Sequence, residues 1–224
     1  MLEAIANSLP MCVGVGLSPL PIAAVLMMLL SKRAVETAPA FLAGWILGII
    51  GVGAIVLTVP GIETARGEPT LLSGVLRIVI GVLLLLVAIR QWRTRPAPDA
   101  APETPSLLAR IDGFRFPQAL FTGLLLIVVN PKNLLLTVAG AAAIDAALTD
   151  TASMVASLLV FAGIASLTVA VPVLIYFVER ERADALFGEW KKWLIRNNTT
   201  VVLVLLVVFG TILIARGLRM LAAS

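Results

Sequence analysis

The sequence contains no histidine, and cysteine occurs only once, as Cys12. Without histidine, metal binding would depend on carboxylates, and a lone cysteine has no partner for an intrachain disulfide. The apolar segments also offer no paired carboxylates, and no serine-based triad can be assembled. We therefore expect no bound metal, no cofactor and no enzymatic activity.

Charged residues are scarce as well. They make up 13% of the 224 residues, against about 25% in a soluble domain, while 60% of the residues are hydrophobic. The mean hydropathy is +1.05. This composition predicts an integral membrane protein without a sizeable soluble domain. Residues 1–4 lack a basic region and a cleavage site, so we interpret the first apolar stretch as a retained span.

Six segments are long and apolar enough to cross a bilayer. They run from about Ile5 or Pro10 to Leu30, Ala38 to Val59, Leu71 to Ile89, Gln118 to Ile144, Ala152 to Val178 and Thr199 to Ala215. Four prolines between residues 96 and 105 indicate a flexible linker after the third span. We expect a three-helix repeat over residues 1–92, a cytoplasmic linker over 93–117 and a second three-helix repeat over 118–224.

Lysines and arginines concentrate on one side of these spans. Arg66, Arg216 and Arg219 fall on the other side. The cation-rich side is expected to face the cytoplasm, which places both termini outside and the protein in the inner (cytoplasmic) membrane. The net charge of +4 therefore concerns orientation and indicates no nucleic-acid partner. The cation-rich side carries Lys32, Arg33, Arg90, Arg93, Arg95, Arg110, Arg115, Arg180, Arg182, Lys191, Lys192 and Arg196.

Two cations, Arg77 and Lys132, fall inside spans, whereas all thirteen acids fall in loops or at span ends. A charge at the centre of a membrane helix costs about 2.5–3.5 kcal/mol and is usually functional. Basic groups without carboxylates suit an anionic group on a substrate. The alternative is that the two side chains snorkel to an interface.

Two spans contain a small polar residue followed by proline: Ser18-Pro19-Leu20-Pro21 in the first and Asn130-Pro131-Lys132-Asn133 in the fourth. Each proline removes an N–H and frees a carbonyl, so a new helix can start there. We expect Ser18 and Asn130 to cap the new helices and to hydrogen-bond a ligand beside Lys132. The alternative for Ser18 and Thr137 is a bond to their own helix backbone, and for Gly14 and Gly16 it is plain helix packing.

The two halves of the chain correspond to each other. Each begins with a proline-broken span, and Gly81 precedes Arg90 by nine residues as Gly210 precedes Arg219. Because each half has three spans, two such halves must lie in opposite orientations. The predicted fold is an all-α membrane protein of six transmembrane helices, built as two inverted three-helix repeats whose broken first and fourth helices meet near the midplane.

At these motifs the sequence resembles the lysine exporter (LysE) superfamily. Within it, Gly16-Leu17-Ser18-Pro19-Leu20-Pro21, the Val129–Asn133 context and the linker are most similar to the GAP branch, which includes proteins that address sulfolipids or peptidoglycolipids to the cell surface. The resemblance covers nearly the whole chain except the linker. It implies export or translocation of lipids or lipid-linked molecules.

We therefore expect a transporter for a lipid or amphiphile with an anionic headgroup. Its partners would be membrane lipids, and a homo-oligomer is left open. Two other functions stay open, an exporter of small metabolites such as amino acids or organic anions, and a subunit of a larger machine. Trp190, Lys191, Lys192 and Trp193, between the last two spans, fit an interfacial helix or an ordinary interface anchor. The predicted substrate-binding residues are Ser18, Pro19, Pro21, Arg77, Asn130, Pro131, Lys132 and Asn133.

Overall fold

The computed structural model describes residues 1–58, 71–94, 111 and 113–223, and all of their long regular elements are α-helices. This confirms the all-α class. Residues 59–70 and most of the expected linker, residues 95–110 and 112, lie outside the described residues. The helices are α1 (Leu2–Gly16), α2 (Pro19–Leu29), α3 (Ala34–Thr58), α4 (Leu71–Arg93), α5 (Phe116–Val128), α6 (Pro131–Ala147), α7 (Thr151–Val178) and α8 (Arg180–Ala223).

Four helical segments are long and apolar enough to cross a membrane: Ala34–Thr58, Gly74–Arg93, Thr151–Val178 and Arg196–Ala222. Two bent pairs also qualify if each pair counts as one span. The bend is 54° between α1 and α2 and 71° between α5 and α6. The described residues therefore contain four candidate spans, or up to six, in the places that the sequence predicts.

Both bends occur where the sequence places them, and proline is the cause. Pro19 and Pro131 are the first residues of α2 and α6. A proline there cannot donate to the carbonyl four residues earlier, so the preceding helix ends, while its fixed φ suits the first turn of the next helix. Pro10, Pro39 and Pro172 lie inside α1, α3 and α7 without ending them. The prolines that break a span are those preceded by Ser18 and Asn130.

The segment between the fifth and sixth spans, expected to be an interfacial helix or an interface anchor, is the first part of α8. Only Glu179 separates α7 from α8. Residues 180–196 consist mainly of glutamate, arginine, alanine, leucine, lysine and tryptophan, with no proline, and most of these favour a helix. The side chains of Trp190 and Trp193 on this part of α8 are 39% and 58% exposed. The sixth span is therefore continuous with the helix that carries these tryptophans.

Glycines allow two helix pairs to approach at backbone distance. Where α3 crosses α5, a Cβ on Gly44 would overlap the carbonyl oxygen of Leu120, and one on Gly123 would overlap that of Phe41. Where α4 runs antiparallel to α8, a Cβ on Gly81 would lie 2.7 Å from the Gly210 oxygen. Such contacts between small residues hold membrane helices together where lipid offers no hydrophobic driving force.

Substitution of Gly44 by alanine should destabilise the protein, because α3 and α5 must separate to admit the methyl group. We expect a loss of about 1–3 kcal/mol, typical of overpacking, measured as a lower midpoint of thermal unfolding in detergent. Gly51→Ala is the matched control, since this glycine lies on the same helix with nothing within 4 Å of the added Cβ. Equal midpoints for the two variants would contradict the close crossing.

Candidate functional site

The two proline breaks meet inside the protein. The Ser18 hydroxyl donates to the Asn133 side-chain oxygen, and the two oxygens are 2.5 Å apart. Ser18 is 1% exposed and Asn133 is fully buried. This bond joins the break in the first half of the chain to the break in the second. The back-bonding alternative therefore does not hold for Ser18, whereas Thr137 does donate to the carbonyl of Asn133 in its own helix, at 2.8 Å.

The Lys132 ammonium is also bonded across the two halves. Its Nζ lies 2.5 Å from the carbonyl oxygen of Gly14, and the Thr168 hydroxyl lies 2.6 Å from the carbonyl oxygen of Gly16. Both carbonyls belong to the last turn of α1, where four carbonyls have no partner within the helix. Lys132 is 1% exposed, so it does not snorkel to an interface. The second half of the chain thus satisfies the end of the first broken helix.

The side chains of Asn130 and Asn133 also complete the break in their own half of the chain. The Asn130 side chain accepts from the backbone N–H of Lys132 at 3.1 Å, which confirms the predicted cap of α6. The Asn133 amide donates to the carbonyl of Leu126, near the end of α5, at 3.2 Å. The corresponding prediction for Ser18 is wrong, because its side chain makes no cap bond to α2. Pro21 lacks the N–H that an N-cap serine would bind at the third helical position.

A cavity of about 290 Å³ opens beside these groups. It includes five of the predicted site residues, Ser18, Pro19, Asn130, Pro131 and Lys132. Pro21 is buried in the first turn of α2 and does not line it, and Asn133 contributes through its bond to Ser18. The other lining residues are Leu20, Val87, Gln91, Leu126, Val129, Asn198 and Val202.

Two polar residues of this cavity, Gln91 and Asn198, were not predicted from the sequence. The side-chain oxygen of Asn198 is buried and has no hydrogen-bond partner. Both residues are neutral and lie near the ends of apolar segments, where polar residues are common, so no local signal distinguishes them. No acidic residue is found among the described residues that line the cavity.

Arg77 lies in a different part of the structure. It precedes Val87 by ten residues on α4, which places it about 15 Å along the helix from the cavity. Asp145 is an acid that the sequence places at a span end; it lies in α6, two residues before the helix ends, and is 2% exposed. It is thirteen residues from Lys132, about 20 Å along the helix.

An apolar groove of about 550 Å³ has lining residues on α2 and α8 within about one helical turn of residues that line the polar cavity. On α8, Leu194 lines the groove and Asn198, one turn further, lines the cavity. Thr168 is the one hydroxyl-bearing residue among the described residues that line the groove, and its hydroxyl donates to the carbonyl of Gly16. The remaining walls are hydrocarbon and tryptophan, contributed by α2, α7 and the first part of α8: Ile22, Leu167, Val171, Pro172, Trp190, Trp193 and Leu194.

The fold and these cavities define a multi-pass helical membrane protein with a buried lysine at paired helix breaks and an apolar groove beside it. The described residues contain no cluster of three or more histidine, cysteine, aspartate or glutamate side chains that could hold a metal ion. The chain belongs to the sulfolipid-1-addressing protein (Sap) family, whose sequence model matches residues 9–219. No curated protein and no solved structure matches the chain.

The bond between Ser18 and Asn133 should contribute to stability as a pair. In a double-mutant cycle of Ser18→Ala and Asn133→Ala, we expect a coupling of about 0.6 kcal/mol and at most about 1.7 kcal/mol, the range for hydrogen bonds between membrane helices. The unfolding free energy in mixed micelles measures it. Ser166 is the control, because this buried serine donates to Ala162 in its own helix. Its cycle with Asn133 should be additive, and additivity for Ser18 as well would refute the contact.

Proposed function

We propose that this protein translocates a lipid or amphiphile with an anionic headgroup across the cytoplasmic membrane. The observation that carries the proposal is the adjacency of the lysine-containing polar cavity and the apolar groove. The membership of the chain in a sulfolipid-addressing family also connects it with lipids. An amphiphile needs both environments at once, whereas an amino acid or a small organic anion would need only the polar cavity.

The groove offers a path for acyl chains. Its lining is almost wholly apolar, and the Thr168 hydroxyl already donates to the Gly16 carbonyl. An acyl chain that enters the groove therefore leaves few polar groups without a hydrogen bond. Asn198 and Leu194 are four residues apart on α8, about 6 Å along the helix. A headgroup in the cavity could therefore keep its acyl chains in the groove.

Lys132 would bind the headgroup. An ammonium group can donate three hydrogen bonds, and its contact with Gly14 uses one of them. Ser18, Asn130, Gln91 and Asn198 surround the same space with neutral polar groups. An oxyanion that entered the cavity would compete with the Gly14 carbonyl for the ammonium. Because that carbonyl belongs to α1 and the lysine to α6, headgroup binding would loosen a bond between the two halves.

We propose that the halves α1–α4 and α5–α8 are inverted repeats that rock against each other. Several helix contacts have a counterpart when α1–α4 are matched in order with α5–α8. The α1–α7 contact corresponds to α5–α3, α2–α8 corresponds to α6–α4, and α2–α7 corresponds to α6–α3. Substrate sites of inverted-repeat transporters lie at the interface of the repeats, typically at broken helices. The proposed mechanism is alternating access around the Ser18–Asn133 and Gly14–Lys132 contacts.

The proposed orientation places the starts of α3 and α5 in the cytoplasm. The backbone N–H of Phe116, where α5 begins, donates to the Glu36 carboxylate in the first turn of α3 at 2.9 Å. Both helices therefore begin at the same end of the bundle. Lys32, Arg33 and Arg115 precede these starts, and the cytoplasmic end of a membrane protein is rich in such cations. Both termini would then lie outside.

Replacement of Lys132 by methionine should abolish headgroup binding while preserving an apolar stem of similar length. We expect about tenfold or greater loss of co-purified anionic lipid, because charged hydrogen bonds contribute about 1.5–3 kcal/mol. Mass spectrometry of lipids bound to the purified protein gives the result, and a liposome assay with a fluorescent anionic lipid gives the translocation rate. Lys192→Met is the control, since this lysine is an exposed surface group paired with Glu189.

Two outcomes would overturn the proposal. In the first, neither protein retains anionic lipid, and the wild-type protein in liposomes moves amino acids; a metabolite exporter would then be correct. In the second, Lys132→Met translocates lipid normally in cells while changes within residues 180–196 abolish function. That result would indicate a subunit of a larger machine.

Filling the groove should slow lipid translocation without removing the headgroup site. In Val171→Trp the indole would occupy space in the groove, and we expect slower movement of a long-chain anionic lipid. Binding of a water-soluble headgroup analogue should be unchanged. Leu174→Trp is the matched control, because Leu174 is on the same helix, 62% exposed and outside the groove lining. Equal rates for both variants would remove the groove from the pathway.

A further inference from the structure

We infer that Arg77, Arg216 and Arg219 form a second anion-binding site, specific for a tetrahedral oxyanion such as a sulfate or phosphate group. They line a cavity of about 240 Å³ together with Asn7 and Met220. The site lies where the beginning of α1, the beginning of α4 and the end of α8 meet, so it is at the end of the bundle that holds both termini. It does not require the transport function proposed for Lys132.

This site is separate from the cavity at the helix breaks. Arg216 follows Val202, a residue of that cavity, by fourteen positions on α8, or about 21 Å along the helix. Together with the separation of about 15 Å along α4 between Arg77 and Val87, this places the two cavities at different depths. One anionic group could therefore not contact Lys132 and the arginines at the same time.

Close packing of α4 against α8 fixes the arginines beside one another. A Cβ on Gly217 would lie 2.7 Å from the carbonyl oxygen of Gly74, so the two backbones touch at this point. Arg77 is one turn after Gly74, and Arg216 directly precedes Gly217. The approach of the helices thus brings guanidinium groups from both of them to one cavity. Because like charges repel, this arrangement is unfavourable unless a negative charge binds between them.

Among the described residues, the groups that these arginines contact do not balance their charges. An Arg216 N–H donates to the backbone oxygen of Asn7 at 2.9 Å, and an Arg77 N–H contacts the sulfur of Met220. Both acceptors are neutral, and each guanidinium has five N–H donors. No acid occurs among the described residues that line the cavity. Since guanidinium forks match the oxygens of sulfate and phosphate, such a group would supply both the charge and the acceptors.

The exposure of the three arginines suits an exchangeable ligand. Arg77 and Arg216 are half-buried, and Arg219 is exposed. The half-buried positions of Arg77 and Arg216 would strengthen their attraction to an anion, because the effective dielectric constant there is lower than in bulk water. The exposed arginine leaves a route to solvent or to lipid headgroups. The ligand could be a free anion or the headgroup of a lipid, and the two sources share this chemistry.

The test compares thermal unfolding of the purified protein in a neutral detergent with and without added anion. One arm adds sodium sulfate, with sodium chloride at equal ionic strength as the reference. The other arm adds a sulfated or phosphorylated long-chain lipid to the micelles. Arg77→Gln/Arg216→Gln is the test variant. Arg90→Gln/Arg93→Gln is the matched control, because it removes two exposed arginines from the opposite end of α4.

We expect sulfate, the lipid or both to raise the unfolding midpoint of the wild-type and control proteins, and the rise to be smaller in the test variant, where only the proposed transport site can still bind an anion. A rise with sulfate identifies a free anion as sufficient, and a rise with lipid alone identifies the headgroup as the ligand. Arg77→Lys/Arg216→Lys should retain part of the rise that the test variant loses. Lys132→Met should retain a rise that the added change Arg77→Gln/Arg216→Gln removes, which separates this site from the transport site.

The inference fails if neither anion raises the wild-type midpoint or if the rise is as large in the test variant as in the wild type. If the double glutamine variant does not purify as a single species, Arg219→Gln replaces it, since this exposed side chain is tolerant of change. A rise that is as large in Arg219→Gln as in the wild type would then overturn the three-arginine site.

Discussion

The carbonyl groups at the end of α1 are the constraint on which the rest of the structure depends. A helix that ends inside a membrane leaves carbonyls without partners, and the hydrocarbon offers no water to bind them. Here Lys132 and Thr168, both from the second half of the chain, donate to Gly14 and Gly16. The break therefore depends on the lysine. The lysine in turn depends on the break, because the partly negative helix end stabilises its charge.

This mutual dependence bears on the proposed transport. A carboxylate partner would carry a full negative charge, whereas the end of a helix is equivalent to about half a charge. The attraction between Lys132 and the end of α1 is thus weaker than an ion pair at the same distance and dielectric. Under the proposed mechanism, a substrate oxyanion would displace Gly14 without having to break an ion pair. Within the described part of the chain the lysine is bonded to a neutral carbonyl, which suits a ligand that must bind and leave.

The features of this fold that have a local cause could be predicted from the sequence. Proline removes a specific N–H, so both breaks and the Asn130 cap could be predicted from neighbouring residues alone. Features that depend on tertiary packing could not be predicted in this way. Gln91 and Asn198 enter the cavity only because α4 and α8 pack beside the breaks, and neither differs locally from an ordinary residue at a helix end. The charges of residues 180–196 mark the end of an apolar span but do not show whether the helix ends there, so the continuity of α8 does not follow from the hydropathy pattern.

The arrangement of close contacts indicates where the structure can move. α4 and α8 touch backbone to backbone at Gly74 with Gly217 and at Gly81 with Gly210. Any sliding of these helices would drive carbonyls into neighbouring atoms, so they form a stiff pair. The contacts at the breaks are different, since the end of α1 is held by individual side-chain bonds that a ligand can replace. Because α4 and α8 belong to different halves of the chain, rocking under the proposed mechanism would pivot about this pair, while the side-chain bonds at the breaks open and close.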